Sequence, residues 1–130
     1  MNLMNPQQLC QAAQDNVQQV SIEQLRAALA DGQRLIDVRE PAEFSSGHIA
    51  DAVNMPRGVL EMQLAQHPDV AGYDDALQRM AKDPLYLICR SGGRSALAAE
   101  SLQRMGFKQV YSVSGGMSAW QQAELPQVTE

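Results

Sequence analysis

Four consecutive apolar residues, Leu85-Tyr86-Leu87-Ile88, run straight into Cys89-Arg90-Ser91-Gly92-Gly93-Arg94-Ser95. Ala98, Leu102 and Met105 then recur at helical spacing as the inward stripe of a following helix, which Gly106 ends. An unbroken apolar run of this kind fits a strand buried on both faces. Both faces are covered when helices flank a mostly parallel sheet.

The rest of the chain keeps the alternation. Ser21 and Gln24 form a capping box ahead of Ile22, Leu25 and Leu29, and Asp31-Gly32 ends that helix. Residues 34–39 read as a strand ending in charged residues. Pro41 opens a short helix through Phe44, which Gly47 terminates, and Ala52–Met55 reads as a short strand stopped by Pro56. Val59, Leu60, Met62 and Leu64 suggest a short helix that closes the core or forms a lid. After it, His67 before Pro68 is expected to be exposed. Asp74 or Asp75 caps a helix carrying Leu77 and Met80. Residues 109–113 form the last strand, and Gly115-Gly116 turns into a short helix holding Trp120, with Met117 near the pocket rim. The order implies right-handed crossovers and an α/β fold.

At 130 residues the chain has one domain's worth of core, and 45% apolar residues exclude wholesale disorder. The polar segment 1–17 reads as an arm or a poorly anchored helix, 18–124 as the domain, and 125–130 as a tail. No run approaches the length of a membrane span. Residues 1–10 lack a basic stretch followed by an apolar one, so the cytoplasm is the expected location. Ten Lys and Arg against fifteen Asp and Glu give a net charge of −5, which argues against nucleic acid as a partner. Two cysteines, Cys10 and Cys89, make neither a disulfide framework nor a zinc site. A monomer is the simplest expectation for this size.

The chemistry concentrates in the loop after the buried strand. Ligands of open α/β sheets bind outside the carboxyl ends of the strands. Gly92 and Gly93 permit the tight curl and positive φ that turn successive N–H groups toward one centre. The helix that follows adds the positive end of its dipole, and Arg90 and Arg94 add two full charges. All of this favours thiolate over thiol at Cys89, and the thiolate is the nucleophile. Cys10 has no such surroundings in the sequence and reads as structural, with a resolving role for the nucleophile as the alternative.

Three blocks in order carry a family pattern. They are Asp37-Val38-Arg39-Glu40 with Glu43-Phe44, Gly47-His48-Ile49, Ala52, Asn54 and Pro56; the loop Cys89 to Ser95; and Val110-Tyr111 with Gly115-Gly116 and Trp120. Over residues 18–124 the chain resembles the rhodanese family in its single-domain form. The resemblance implies a mostly parallel five-stranded sheet flanked by helices on both faces. It also implies a sulfurtransferase in which Cys89 takes the outer sulfur of a small anionic donor such as thiosulfate. The resulting persulfide passes its sulfur to cyanide, a thiol or a protein thiol, with no metal or organic cofactor. By the same carry-over Arg90, Ser91, Gly92, Gly93, Arg94 and Ser95 bind the substrate, their N–H groups cradling the persulfide. Arg94, and after it Arg90, is expected to meet the donor's oxygens, and Ser95 caps the following helix or donates to the loop.

Asp37, Arg39 and His48 match the first block and are expected to be structural or second-line residues, since exchange between a thiolate and a sulfane sulfur needs no dedicated base. Arg57 is a candidate third positive charge. Asp51 stands where the family often has Gly, and its side chain is expected to cap that turn. Two other functions share the fold. Cdc25-like phosphatases have five residues between Cys and Arg and usually His before the Cys. Here there are four residues, and Ile88 precedes. Docking modules of the family lack the cysteine, which is present here.

Overall fold

The computed structural model describes residues 2–129. Its centre is a five-stranded sheet of β1 (Gln18–Val20), β2 (Arg34–Asp37), β3 (Val53–Asn54), β4 (Leu85–Ile88) and β5 (Val110–Val113), in the order β1-β5-β4-β2-β3. Every pairing is parallel, so β4, the unbroken apolar run, sits at the centre with β2 and β5 on either side. Ile36, Val38, Leu87, Cys89 and Val110 face one side of the sheet. Leu35, Ile88 and Val113 face the other. This is the period-two alternation of a strand surface, repeated across neighbours.

Helices cover both sides. α2 (Ile22–Ala30) and α7 (Gly116–Gln122) bury Leu25, Met117 and Trp120 on the Leu35 side. On the Cys89 side lie α4 (Leu60–Gln63), a 3-10 turn at Leu64–Gln66, α5 (Ala76–Ala81) and α6 (Gly93–Met105), which bury Leu60, Leu64, Met80 and Leu102. α3 (Pro41–Ser45) follows β2. The capping box expected at the start of α2 is present, with Ser21 accepting the Gln24 N–H and Gln24 accepting the Ser21 N–H. Among the described residues no helix is long and apolar enough to cross a membrane.

Several local expectations are corrected. Of the arm and the helix left open for segment 1–17, residues 6–16 form the helix, α1 (Pro6–Asn16), and it is anchored against α6; its Asn5–Gln8 capping box closes at 2.8 and 2.9 Å. At the other end, Val128 makes two backbone hydrogen bonds with His48, and the Trp120 indole donates to the Pro126 carbonyl. Met105 is 44% exposed, because α6 ends in a Schellman turn at Gly106 that folds Phe107 back under the helix (Phe107 N–H to Leu102 O, 3.1 Å). Phe107 takes the core position expected of Met105. Val59 and Met62 are exposed, and only Leu60 and Leu64 of that segment reach the core. His67 is buried, not exposed: its Nδ1 accepts the Asp69 N–H at 3.1 Å, and burial pushes its pKa below the ordinary value. Asp51 does hold a positive φ of +72°, but its side chain makes no capping hydrogen bond among the described residues. Met117 points into the core and not to a pocket rim.

Candidate active site

The site begins with the register of three strands. Asp37 lies opposite Ile88, and Leu87 opposite Ser112, so the chain leaves β4 between the ends of β2 and β5. Cys89 is the next residue and is 1% exposed. Gly92 turns the loop at φ +107°, a conformation costly for any residue with a Cβ. The turn brings the Gly92 N–H to 3.1 Å from Cys89 Sγ, and α6 then begins so that the Ser95 N–H lies 3.4 Å from the same sulfur. Ser95 Oγ is also 3.4 Å away. Among the described residues no protein acceptor takes the N–H of Gly93 or Arg94.

The loop's polarity is fixed from the far side. Met117 N–H binds the Cys89 carbonyl at 2.8 Å, and Ser118 N–H binds the Arg90 carbonyl at 2.9 Å. A peptide's C=O and N–H point in opposite directions, so carbonyls drawn to α7 leave the following N–H groups turned away from it. Gly116 makes this approach possible. A Cβ there would lie 2.8 Å from the Arg90 carbonyl carbon, and its φ is +51°.

The charges are arranged differently from the sequence reading. Arg94 forms a two-pronged ion pair with Glu43 of α3, Nη1 to Oε1 at 2.8 Å and Nη2 to Oε2 at 3.0 Å. Hydrogen bonds from Arg94 hold the Glu43 carboxyl down from 4.5 to about 2, against partial burial and with help from the Glu40 N–H. The same contact raises Arg94 further above its ordinary value. Arg90 is exposed, and no acidic side chain pairs with it among the described residues. Arg57 is half-buried, and its Nε has no partner. It faces Glu61 on α4: burial pushes that carboxyl up, but a hydrogen bond from Ser101 of α6 and the Arg57 charge leave it below its ordinary value.

Asp37 and Arg39 spend their polar atoms on each other. They form a buried pair at 2.8 Å, with Arg39 also donating to the Gly47 carbonyl at 2.8 Å. His48 is buried, with Nδ1 2.8 Å from the Phe44 carbonyl and its ring stacked on Phe44. The sulfur accepts the N–H groups of Gly92 and Ser95 and, as a thiol, donates to Ser95 Oγ, and none of these three side chains reaches it.

Two parts of the site were missed. Ser112 of β5 is fully buried and 2.8 Å from Ser95 Oγ. Its signal was a hydroxyl inside an otherwise apolar strand. The other is α1, whose Cys10 packs against Gly93: a Cβ on Gly93 would lie 2.9 Å from Cys10 Sγ. Between α1 and the loop is an open cleft of about 320 Å³ lined by Gln7, Cys10, Gln11, Gln14, Ser91 and Gly93, together with Pro6. A larger cavity of about 440 Å³ lies at the opposite, amino end of β2 beside Arg34 and His67, away from this chemistry.

The chain is similar to known proteins in sequence and in fold. The family model described as a rhodanese-like domain matches residues 21–123. Thiosulfate sulfurtransferase 16 of Arabidopsis thaliana is 36% identical over 115 residues, covering 82% of this chain and 89% of the relative. The solved human single-domain sulfurtransferase superimposes with a TM-score of 0.67 at 30% identity, covering 80% of this chain and 95% of that one. A Rhodopseudomonas palustris protein of unknown function, described as a possible tyrosine phosphatase, superimposes with a TM-score of 0.78 at 26% identity, covering 97% and 96% of the two chains.

Proposed function

This chain belongs to the rhodanese-like family, and from that membership we propose that it is a sulfurtransferase working through a persulfide on Cys89. The Cys89 thiolate attacks the sulfane sulfur of a donor such as thiosulfate. The donor's S–S bond breaks, its electron pair leaves with sulfite, and the sulfane sulfur stays on Cys89 as a persulfide anion. A thiophile, either cyanide or a thiolate, then attacks the terminal sulfur. The Cys89–sulfur bond breaks, and its electrons return to Cys89 as thiolate. No proton moves in either half. A nucleophile that must be a free thiolate at each turnover suits a reducing compartment such as the cytoplasm.

The observation that carries the reading is the convergence of the Gly92 and Ser95 N–H groups on Cys89 Sγ. Donors fixed in advance around a sulfur stabilise charge there without reorganising, much as an oxyanion hole does for oxygen. The unclaimed N–H groups of Gly93 and Arg94 are the candidates for the persulfide's outer sulfur. With Arg94 engaged by Glu43, Arg90 becomes the guanidinium best able to take the donor's sulfonate oxygens.

One structural neighbour's description makes aryl-phosphate hydrolysis the second reading to test. Four residues between Cys89 and Arg94 give a cradle one residue shorter than the phosphatase loop, which fits a single sulfur better than a phosphoryl group. The decisive experiment is intact mass spectrometry of the reduced protein mixed with thiosulfate, with Cys89→Ser alongside. One added sulfur on the wild type alone, removed by cyanide, is the expected result. No added sulfur from thiosulfate or from a persulfide donor overturns the reading. Turnover of an aryl phosphate would then favour the phosphatase, and its absence a docking module.

A further inference from the structure

We propose that Ser112 is a positioning residue for the nucleophile, acting through Ser95 to point that hydroxyl's proton at Cys89 Sγ. The inference rests on the reading of Cys89 as the attacking thiolate.

Ser112 is paired in register with Leu87, one pleat before Cys89, and lies on the same face of the sheet as Val110, Leu87 and Cys89. Its side chain is fully buried, as is that of Ser95 in the first turn of α6. Ser112 Oγ is 2.8 Å from Ser95 Oγ, and Ser95 Oγ is 3.4 Å from Cys89 Sγ. Among the described residues Ser95 is the only side-chain hydrogen-bond partner of Ser112.

A hydroxyl has one proton to give. If the chain of bonds runs toward the sulfur, Ser112 donates to Ser95 and Ser95 donates to Cys89. Both protons then have acceptors, and the sulfur receives that hydroxyl together with the N–H groups of Gly92 and Ser95. A sulfur that accepts three donors is better suited as thiolate than as thiol, which has its own proton to place. If the chain runs the other way, the thiol proton goes to Ser95 and the Ser95 proton to Ser112. The Ser112 proton is then left without an acceptor in a buried position, an arrangement that costs free energy. The serine pair therefore favours the ionised form of Cys89. It does so with no charge of its own.

The charged groups around the loop are Arg90 and Arg94 on the loop and α6, Asp37 and Arg39 at the end of β2, Glu43 on α3, and Arg57 with Glu61 at α4. α1 brings the Cys10 thiol against Gly93, and α7 brings no titratable side chain. Tyr111, the one titratable residue of β5, stacks on Tyr86. Changing either serine alters none of these groups.

The test is the rate of iodoacetamide alkylation against pH, read at the Cys89 peptide so that Cys10 does not contribute, for wild type, Ser112→Ala, Ser95→Ala and the double variant. Loss of one oriented donor should raise the pH of half-maximal rate by roughly half a unit to one unit in Ser112→Ala. Ser95→Ala should move it at least as far, and the double variant no further than Ser95→Ala alone, as expected of residues acting in series. A Ser112→Ala profile that overlays the wild type overturns the proposal, as does an undiminished Ser112→Ala shift in the Ser95→Ala background. A purely structural serine would lower the melting temperature and leave the midpoint in place. No sulfur donor is used, so failure of thiosulfate to load Cys89 and failure of the serine pair give separate results.

Discussion

Replacing Glu43 by Gln removes one charge and leaves nearly every atom in place. The amide oxygen can still accept the Glu40 N–H, now bound at 3.0 Å, so the start of α3 keeps its cap. What disappears is the ionic half of the fork on Arg94. In the folded chain that fork holds the Glu43 carboxyl down from 4.5 to about 2. A lowered carboxylate contributes stability that is fully present above its unfolded value and is lost as pH falls through its folded value. The side chains of Arg94 and Glu43 keep 37% and 32% of their surface exposed, so solvent screens the pair. That leaves about 1 kcal/mol, well short of what a sealed pair commands. Urea unfolding of both proteins should show a gap of about 1 kcal/mol at pH 7, unchanged at pH 6 and more than half lost by pH 3. The freed Arg94 should also lower the KM for thiosulfate in the variant. A stability gap of the same size at pH 7 and pH 3 would refute the reasoning, because it would locate the loss in packing and not in charge.

Other contacts give further expected outcomes. Gly116→Ala places a Cβ against the carbonyls of the Cys89–Arg90 loop; overpacking of this kind should cost about 2 kcal/mol and slow sulfite release from thiosulfate by about tenfold, and unchanged kinetics would count against α7 as the support of the loop. His67 is buried with its pKa lowered by desolvation, so the unfolded chain takes up its proton first as pH falls below about 6.5 and the fold loses stability. His67→Asn should flatten that slope in urea titrations between about pH 6.5 and 5, and equal slopes would rule the residue out as its source. Arg57→Ala should raise the KM for thiosulfate with little change in melting temperature, and wild-type KM should rise with added salt. A lower melting temperature with unchanged kinetics would assign Arg57 to structure alone.

Features set by near neighbours in sequence were legible; those set by register and packing were not. The conformation of the Cys89 loop could be read because strand end, glycine turn and helix start occupy seven consecutive residues, Cys89 to Ser95. The parallel sheet followed from the apolar run that became β4. Ser112 could not be assigned, because its link to Cys89 depends on β5 lying beside β4 in a specific register. Arg94 was identified as a cation, but whether it is free depends on Glu43, 51 residues away in the chain. The α1 capping box was present in Asn5 and Gln8 all along. The polar composition around it left arm and helix both open, and the helix that forms buries little beyond Ala13.

The two hydrogen bonds from α7 to the loop also bear on the order of events during synthesis. The cysteine emerges at position 89, but the N–H groups that fix its loop come from residues 117 and 118, and β5 pairs beside it only after residue 113. Translation runs from the amino end, so a ribosome-bound chain presents the thiol before the supports that shape its surroundings. The chemistry proposed for Cys89 would therefore await segments made near the end of the domain. Until residues 117 and 118 have emerged, the Cys89–Arg90 carbonyls lack the N–H groups that anchor them.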